Sequence, residues 1–272
     1  MIPQAESKPM IHPTAIISEK ARIGTDVRIG PHCWIGDNVS IGDGCILEKS
    51  VSVFSNTAIG KGTSVRSYAS VGTDPDTKFS TVQASEGRLE VGENCVIGCY
   101  TFISRGALSE NQLTRIGDGV SIGELCYFGH DCLIGDRVEI HDSVVIENSV
   151  TIGTGTRLRY GTLVIPDSNI GESVDAQIRS RVSHDIPPFV KVSGDPAKIK
   201  GLSEVFLKQM QFSTTMITEM NEILTDYFSE PMPAEYNVLE KYFSSYPEFL
   251  GLIKFCHSNP NFQTDVFLKR YE

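Results

Sequence analysis

Histidines are the residues of this chain best suited to move protons near neutral pH, because an unperturbed imidazole has a pKa of about 6.5. The 272-residue chain has six of them; three directly precede an aspartate, His130, His184 and His141, and the first two are the candidates for chemistry. A lone histidine beside an aspartate permits general acid–base chemistry without specifying a reaction. For the other four we predict no chemistry: His12, His32, His141 and His257.

A six-residue repeat defines the elements that would position these histidines. A large apolar residue recurs at every sixth position, and the pattern resumes after each of two interruptions. Neither the helical period of 3.6 nor the strand period of 2 explains this spacing, whereas one short strand and one corner per hexapeptide does. The sequence therefore predicts a parallel β-helix. The repeating positions are Ile11, Ile17, Ile23, Ile29, Ile35, Ile41, Leu47, Val53, Ile59, Val65, Val71, Val91, Ile97, Ile103, Ile116, Ile122, Phe128, Ile134, Ile140, Ile146, Ile152, Leu158, Val164 and Ile170.

A second column of small residues stands two positions before each of these apolar residues. Alternation along a strand places both columns on the same inward face, where a narrow prism has room only for a small side chain. Five of the seven cysteines belong to this column, and no two cysteines are spaced as a CxxC pair. We therefore predict buried structural thiols rather than a metal site or disulfides. These five are Cys33, Cys45, Cys95, Cys126 and Cys132.

The interruptions and the end of the repeat divide the chain. The interruptions, at about 72–90 and 104–115, predict loops extruded from the prism, where binding residues tend to lie. The repeat fades after Val182, and we interpret Asp185 to Gly201 as an irregular connection. From Leu202 the apolar spacing becomes helical. We predict a β-helix over 1–200 and a small α-helical domain over 201–272, with later helices over about 235–244 and 247–256.

Composition and charge exclude several function classes. The net charge of −10, from 34 acidic and 24 basic residues, leaves no broad basic face for a nucleic acid. No window approaches the roughly 20 apolar residues that a membrane-spanning helix requires, and the first ten residues carry no apolar leader. We expect a cytoplasmic protein.

One segment carries a close family resemblance. Residues 127–135, Tyr-Phe-Gly-His-Asp-Cys-Leu-Ile-Gly, resemble the catalytic segment of the bacterial UDP-N-acetylglucosamine acyltransferases, the first enzymes of lipid A synthesis. The similarity extends over nearly the whole chain, including residues 11–15, both interruptions, residues 185–190 and parts of the tail. It implies a left-handed parallel β-helix with three hexapeptides per coil and a homotrimer whose sites lie between neighbouring prisms.

The resemblance also implies roles for individual residues. His130 would be the general base, Asp131 would orient it, and the backbone N–H of Asn148 would hold the oxyanion. Asp76 and Lys78, in the first loop, would bind the acceptor sugar. The donor would be a thioester, acyl-CoA or an acylated acyl carrier protein, with no permanently bound cofactor and no metal.

An 18-residue coil places residues 18 apart above one another at the strand spacing of about 4.8 Å. The amide of Asn148 would then lie one strand spacing from His130. His130 and His184 share an outward corner position but lie three coils apart, about 14 Å by the same spacing. That separation, and the lack of another nearby corner histidine in phase, argues against the zinc site of a γ-type carbonic anhydrase.

Several positions depart from the family pattern. Tyr127, Ser149 and Ile165 stand where the family has further histidines lining the site, and we assign Tyr127 and Ser149 to substrate binding. Gln209 replaces an arginine of the helical tail. Ile178 stands where residue size measures the acyl chain in the family, and its branched side chain predicts a short acyl group.

The donor would be gripped by basic side chains near the end of the prism, because the tail from Gly201 onward has more carboxylates than basic residues. These side chains could equally hold the phosphates of coenzyme A. The segment 194–198, Gly-Asp-Pro-Ala-Lys, resembles the coenzyme A-dependent branch of the superfamily. The candidate donor-binding residues are Arg157, Arg159, Arg179, Arg181, Lys198 and Lys200.

The departures together favour transfer of a short acyl group to the amine of a nucleotide-linked amino sugar, since a neutral amine depends less on a fully equipped base. One alternative is the lipid A reaction itself, O-acylation of UDP-N-acetylglucosamine from a hydroxyacyl-acyl carrier protein. An alternative of another class is a non-catalytic trimeric β-helix scaffold.

Overall fold

The computed structural model describes residues 8–75, 87–107, 112–209, 211–218 and 221–222. Within them the hexapeptides form short strands that stack into three sheets, the faces of a prism. Sheet A contains β1 (Met10–Ile11), β4 (Arg28–Ile29), β7 (Ile46–Leu47), β10 (Ser64–Val65), β13 (Val96–Ile97), β16 (Ser121–Ile122), β19 (Glu139–Ile140), β22 (Arg157–Leu158), β25 (Asp175–Ala176), β27 (Val190–Ser193) and β28 (Lys198–Leu202). Sheet B contains β2 (Ile16–Ile17), β5 (Trp34–Ile35), β8 (Ser52–Val53), β11 (Ser70–Thr73), β14 (Phe102–Ser104), β17 (Tyr127–Phe128), β20 (Val145–Ile146), β23 (Leu163–Val164) and β26 (Arg181–Val182). Sheet C contains β3 (Arg22–Ile23), β6 (Ser40–Ile41), β9 (Thr57–Ile59), β12 (Arg88–Val91), β15 (Leu113–Ile116), β18 (Leu133–Ile134), β21 (Thr151–Ile152) and β24 (Asn169–Ile170).

The register of these strands confirms the 18-residue coil. Ile11 pairs with Ile29, and the later parallel pairs outside the interruptions keep the same offset as far as β26. The last parallel pair, β25 with β27, has an offset of 16. Val65 pairs with Ile97, which is 32 residues later, and Ile97 pairs with Ile122, which is 25 residues later. The coils on either side of each interruption therefore remain paired, with a register shift between Val71 and Thr73.

The core is the column of inward residues inside the prism. The repeating apolar positions from Ile29 to Ile170 are almost fully buried, and Phe128 is the largest of the fully buried side chains. The small column is buried as well, and the five cysteines assigned to it are free thiols with 2% exposure or less. The predicted core thus follows directly from the repeat.

Both extruded loops leave the prism at one edge. Strands β11, β14, β17, β20, β23 and β26 are successive neighbours in sheet B, and after each of them the chain turns towards sheet C. The first loop follows β11, the second follows β14, His130 follows β17 and Asn148 follows β20. We call this corner between sheets B and C the loop edge.

The boundaries differ in detail from the sequence expectation. Strand β11 extends to Thr73 and β12 begins at Arg88, while β14 extends to Ser104 and β15 begins at Leu113, so the ends of both predicted loops belong to strands. The irregular connection predicted for Asp185 to Gly201 is wrong in its second half, because β27 and β28 form an antiparallel hairpin there.

The helical tail begins at Glu204 and not at the predicted residue 201, because Gly201 and Leu202 belong to β28. Helix α1 spans Glu204–Gln209, and residues 214–218 form another helical turn. Phe206 stacks on the buried Phe189, with ring centroids 4.4 Å apart, which attaches α1 to the prism end. The helices predicted for 235–244 and 247–256 lie outside the described residues. No described helix has the length and apolar character needed to cross a membrane.

Candidate active site

His130 and Asp131 form a side-chain pair at the loop edge. The Nδ1 atom of His130 lies 2.8 Å from Oδ2 of Asp131. An ionised carboxylate can only accept this hydrogen bond, so in the neutral imidazole Nδ1 carries the proton and Nε2 has a free lone pair. The histidine side chain is 13% exposed and the aspartate side chain 3%. This pair can accept a proton from a group that approaches along the edge.

The buried carboxylate of Asp131 is also held by the second loop. Its Oδ1 atom accepts a hydrogen bond of 3.1 Å from the backbone N–H of Ala107, at the start of the second loop. Its backbone has φ +59°, the left-handed conformation that recurs at most corners of the prism and that aspartate tolerates better than most residues. The second loop therefore fixes the residue that orients His130.

Asn148 and Ser149, one coil beyond His130, form hydrogen bonds with the backbone of His130. The side-chain Oδ1 of Asn148 accepts a hydrogen bond of 3.1 Å from the N–H of His130, and the N–H of Ser149 donates to the carbonyl of His130 at 2.9 Å. Gly129 allows this close approach, because a Cβ there would lie 2.2 Å from that Oδ1 and 2.8 Å from the N of Asn148. The backbone amide of Asn148 thus lies beside the histidine corner, as the 18-residue offset predicts.

Buried thiols near this pair are unsuited to nucleophilic attack. Cys132 follows Asp131 and points inward, and its Sγ donates to the carbonyl of Glu147. Burial raises the pKa of the Cys132 thiol to about 12 and that of Cys126 to about 11. Both thiols stay protonated near neutral pH, so direct transfer through a histidine base fits this edge better than a thiolate mechanism.

The other residues predicted to bind the substrates do not all lie beside His130. Tyr127 lies on β17 with a half-buried side chain, and Ser149 is exposed at the loop edge with φ +58°. Asp76 and Lys78 lie outside the described residues. Ile178 is 58% exposed at the corner between sheets A and B, a different edge from that of His130.

Three of the six candidate donor-binding residues have carboxylate partners. Arg157 donates to Glu139 at 2.6 Å, and Arg159 forms a two-pronged pair with the buried Asp175 at 2.7 and 2.9 Å. Arg181 lies 3.6 Å from Asp195. The other three are exposed and make no ion pair within the described part of the chain: Arg179, Lys198 and Lys200.

The structure also identifies a contact between the two loop bases that the sequence analysis missed. Arg105, in the second loop, forms an ion pair with Asp74, in the first, and donates to the carbonyl of Ser55 at 3.2 Å. The side chain of Arg105 is only 11% exposed. Arg105 therefore links the ends of the two loops where they join the prism, beside the His130 corner. Neither Arg105 nor Asp74 occupies a repeating position, so the repeat could not predict this contact.

His184, three coils from His130 on the same edge, leads to a stability prediction. Burial lowers the pKa of His184, although Asp185 opposes the shift, and its Nε2 is buried without a partner among the described residues. A depressed folded-state pKa means that the unfolded chain binds the proton more readily. The resulting stability is present above about pH 6.5 and is lost as the pH falls through the folded-state pKa.

We expect His184→Gln to reduce the loss of thermal stability that accompanies acidification. The measurement is Tm from about pH 8 to pH 5 for wild type and variant, compared as a difference so that other titrating groups cancel. His32→Gln, which replaces an exposed corner histidine, is the control. Identical acid slopes for wild type and His184→Gln would contradict the prediction.

The prism places this chain among the left-handed parallel β-helix proteins, and its relatives place it among the acyltransferases with that fold. Three family models match separate parts of it: the GMPPB C-terminal domain over residues 7–74, the bacterial transferase hexapeptide (six repeats) over 113–148, and domain 2 of UDP-N-acetylglucosamine O-acyltransferase over 185–261. The chain belongs to the family of acyl-[acyl-carrier-protein]–UDP-N-acetylglucosamine O-acyltransferases.

Individual relatives support this assignment. The enzyme of Thiobacillus denitrificans is 37% identical over 210 residues, which cover 77% of this chain and 81% of the relative. That of Thermodesulfovibrio yellowstonii is 30% identical over 252 residues, or 92% and 96% of the two chains. The solved UDP-N-acetylglucosamine O-acyltransferase of Moraxella catarrhalis is 26% identical, with a TM-score of 0.85 over 93% of this chain and 98% of that one. The predicted fold and family resemblance are confirmed.

Proposed function

We propose that this acyltransferase moves an acyl group from acyl carrier protein to a hydroxyl of UDP-N-acetylglucosamine, with His130 as general base. The observation that carries the proposal is the His130–Asp131 pair, with the imidazole 13% exposed and the amide of Asn148 one coil away. The names of the relatives, which are O-acyltransferases of this acceptor, support the hydroxyl over the amine that the sequence departures favoured.

The proposed reaction is a direct transfer. Nε2 of His130 takes the proton of the acceptor hydroxyl while the oxygen attacks the thioester carbonyl. A C–O bond forms, the C–S bond breaks, and the carrier thiol leaves with a proton returned by the imidazole. Asp131 stabilises the imidazolium that exists between these two proton transfers, because its carboxylate faces Nδ1 at 2.8 Å.

The backbone N–H of Asn148 is the proposed donor to the carbonyl oxygen as it becomes negative. A donor of this kind contributes about 3 kcal/mol, because it is fixed before the charge develops. The rigid pairing of β17 with β20 holds the amide in place, and the side chain of the same residue anchors His130. Base and oxyanion donor are therefore positioned by one corner of two stacked coils.

A homotrimer is part of the proposal. Ile178 and Arg179 lie at the corner between sheets A and B, whereas His130 lies at the loop edge, one prism face away. A face of about six residues at roughly 3.3 Å each separates these edges by close to 20 Å. A donor that reaches His130 and is measured by Ile178 would therefore have to contact two copies of the chain.

The acyl chain is proposed to be short. The branched side chain of Ile178 is 58% exposed on its edge and would occupy space along a channel between two prisms. Docking of the carrier would rest on the exposed Arg179, Lys198 and Lys200, because the neighbouring arginines are already neutralised by carboxylates. Transfer to an amine is the second candidate, favoured by Tyr127 and Ser149 where further histidines would assist a hydroxyl acceptor.

The test is a product assay with two acceptors and a series of donors. We expect purified protein to acylate UDP-N-acetylglucosamine, and to prefer short acyl-carrier-protein thioesters to long ones and to the matching CoA thioesters. Mass spectrometry gives the size of the added group, and cleavage by mild alkali distinguishes an ester from an amide. The second acceptor is the analogue with an amine in place of the acceptor hydroxyl. Exclusive formation of an amide would establish the second candidate instead, and no product from either acceptor would refute the proposed function.

A further inference from the structure

The corners of the prism contain a ladder of side-chain caps. At five corners the backbone N–H of the second residue after an inward apolar residue donates to a side-chain oxygen from the next coil. The distances range from 2.7 to 3.1 Å. An aspartate or asparagine at the equivalent corner position of the next coil supplies the oxygen in each case. The pairs are Thr25 with Asp43, Glu93 with Asp118, Asp118 with Asp136, Glu124 with Asp142, and His130 with Asn148.

At the loop edge this ladder stops one step beyond His130. The residue that stands over Asn148, as Asn148 stands over His130, is Pro166. Proline has no side-chain acceptor, and within the described part of the chain the N–H of Asn148 makes no hydrogen bond. The shared corner geometry directs that N–H along the edge towards the exposed ring of Pro166 rather than into the core.

We propose that Pro166 is a positioning residue that keeps the N–H of Asn148 free for the developing oxyanion. The inference rests on the proposed function, since it concerns the same acyl transfer. An aspartate or asparagine at position 166 would place an oxygen about 3 Å from this N–H, as five other corners of the fold already do. The repeat that caps His130 would then cap the oxyanion donor as well.

A capped donor cannot stabilise a transition state at full strength. The thioester oxygen becomes anionic only during the reaction, and a resident carboxylate would hold the N–H in both the free and the reacting enzyme. Loss of one oxyanion donor lowers kcat by about 10²- to 10³-fold in enzymes of acyl transfer. Because the interaction is made in the transition state alone, KM should change little.

The test compares three substitutions at position 166 with one control. We expect Pro166→Asp and Pro166→Asn to lower kcat by about 10²-fold or more with KM nearly unchanged. Pro166→Ala, which removes the ring without supplying an acceptor, should lose far less. The asparagine variant separates capping from charge repulsion, since its side chain accepts a hydrogen bond without a negative charge.

The matched control is Thr154→Asp. Thr154 has the same corner position over Asp136, at the corner between sheets C and A, and its substitution should cap an amide remote from His130 while kcat stays at the wild-type value. Equal kcat for Pro166→Asp, Pro166→Asn and wild type would overturn the inference while leaving the proposed function standing. A wild-type protein with no acyltransferase activity would instead refute the proposed function.

Discussion

Replacing His130 by alanine is expected to lower kcat for acyl transfer by at least about 10²-fold, and by up to about 10⁴-fold. The substitution removes the lone pair at Nε2 that would accept the acceptor proton, while Asn148 retains its backbone N–H. The fold should survive, because His130 lies at a corner and its backbone hydrogen bonds to Asn148 and Ser149 do not involve the imidazole. Single-turnover rates and thermal melting of wild type and variant check both statements.

His184→Ala is the matched control for this experiment. His184 has the same corner position on the loop edge, three coils away, and also precedes an aspartate. It should keep the wild-type rate, so a selective loss in His130→Ala would assign the chemistry to one corner. Unchanged activity in His130→Ala, measured on a correctly folded variant, would favour the non-catalytic scaffold or a different base.

Most of the prism could be predicted because one spacing determines it. The apolar residue at every sixth position gives the inward column, and the pairing of Ile11 with Ile29 repeats the offset that this column requires. The corner position of His130 and the stacking of Asn148 beside it follow from the same count. Both depend on local geometry that recurs in every coil, so a periodic pattern was sufficient.

The contacts made by the loops could not be predicted in this way. Ala107 donates to the carboxylate of Asp131, and Arg105 pairs with Asp74. The sequence separations of these pairs are not set by the six-residue repeat. Where an inserted segment touches the prism depends on its own backbone path and not on the register of the coils. The acceptor-binding assignment of Asp76 and Lys78 depends on such a segment and stays a prediction.

The choice of acceptor was the weakest inference from sequence. Tyr127, Ser149 and Ile165 replace histidines that line the site in the family. We interpreted their loss as a sign that the acceptor needs less help from a general base, and this favoured an amine. The relatives, which match this chain in sequence over most of their length, are O-acyltransferases by name and favour the hydroxyl. Substituted side chains around a retained His130–Asp131 pair therefore do not by themselves identify the nucleophile.

Phe128→Ala is expected to destabilise the protein by about 3 to 5 kcal/mol. Phe128 is fully buried and stands in a column of otherwise aliphatic residues, so its removal leaves a cavity as large as the ring between two stacked coils. Each coil contacts only its neighbours, and the damage should concentrate at β17 and the corner that carries His130.

Urea unfolding at a fixed protein concentration measures this change in the free energy of unfolding. Phe128→Leu, which keeps most of the volume, should cost less than about 1.5 kcal/mol. An unfolding midpoint of Phe128→Ala equal to that of wild type would mean that residue 128 does not face the inside of the prism. His130, two positions later, would then not lie at the edge where the proposed chemistry requires it.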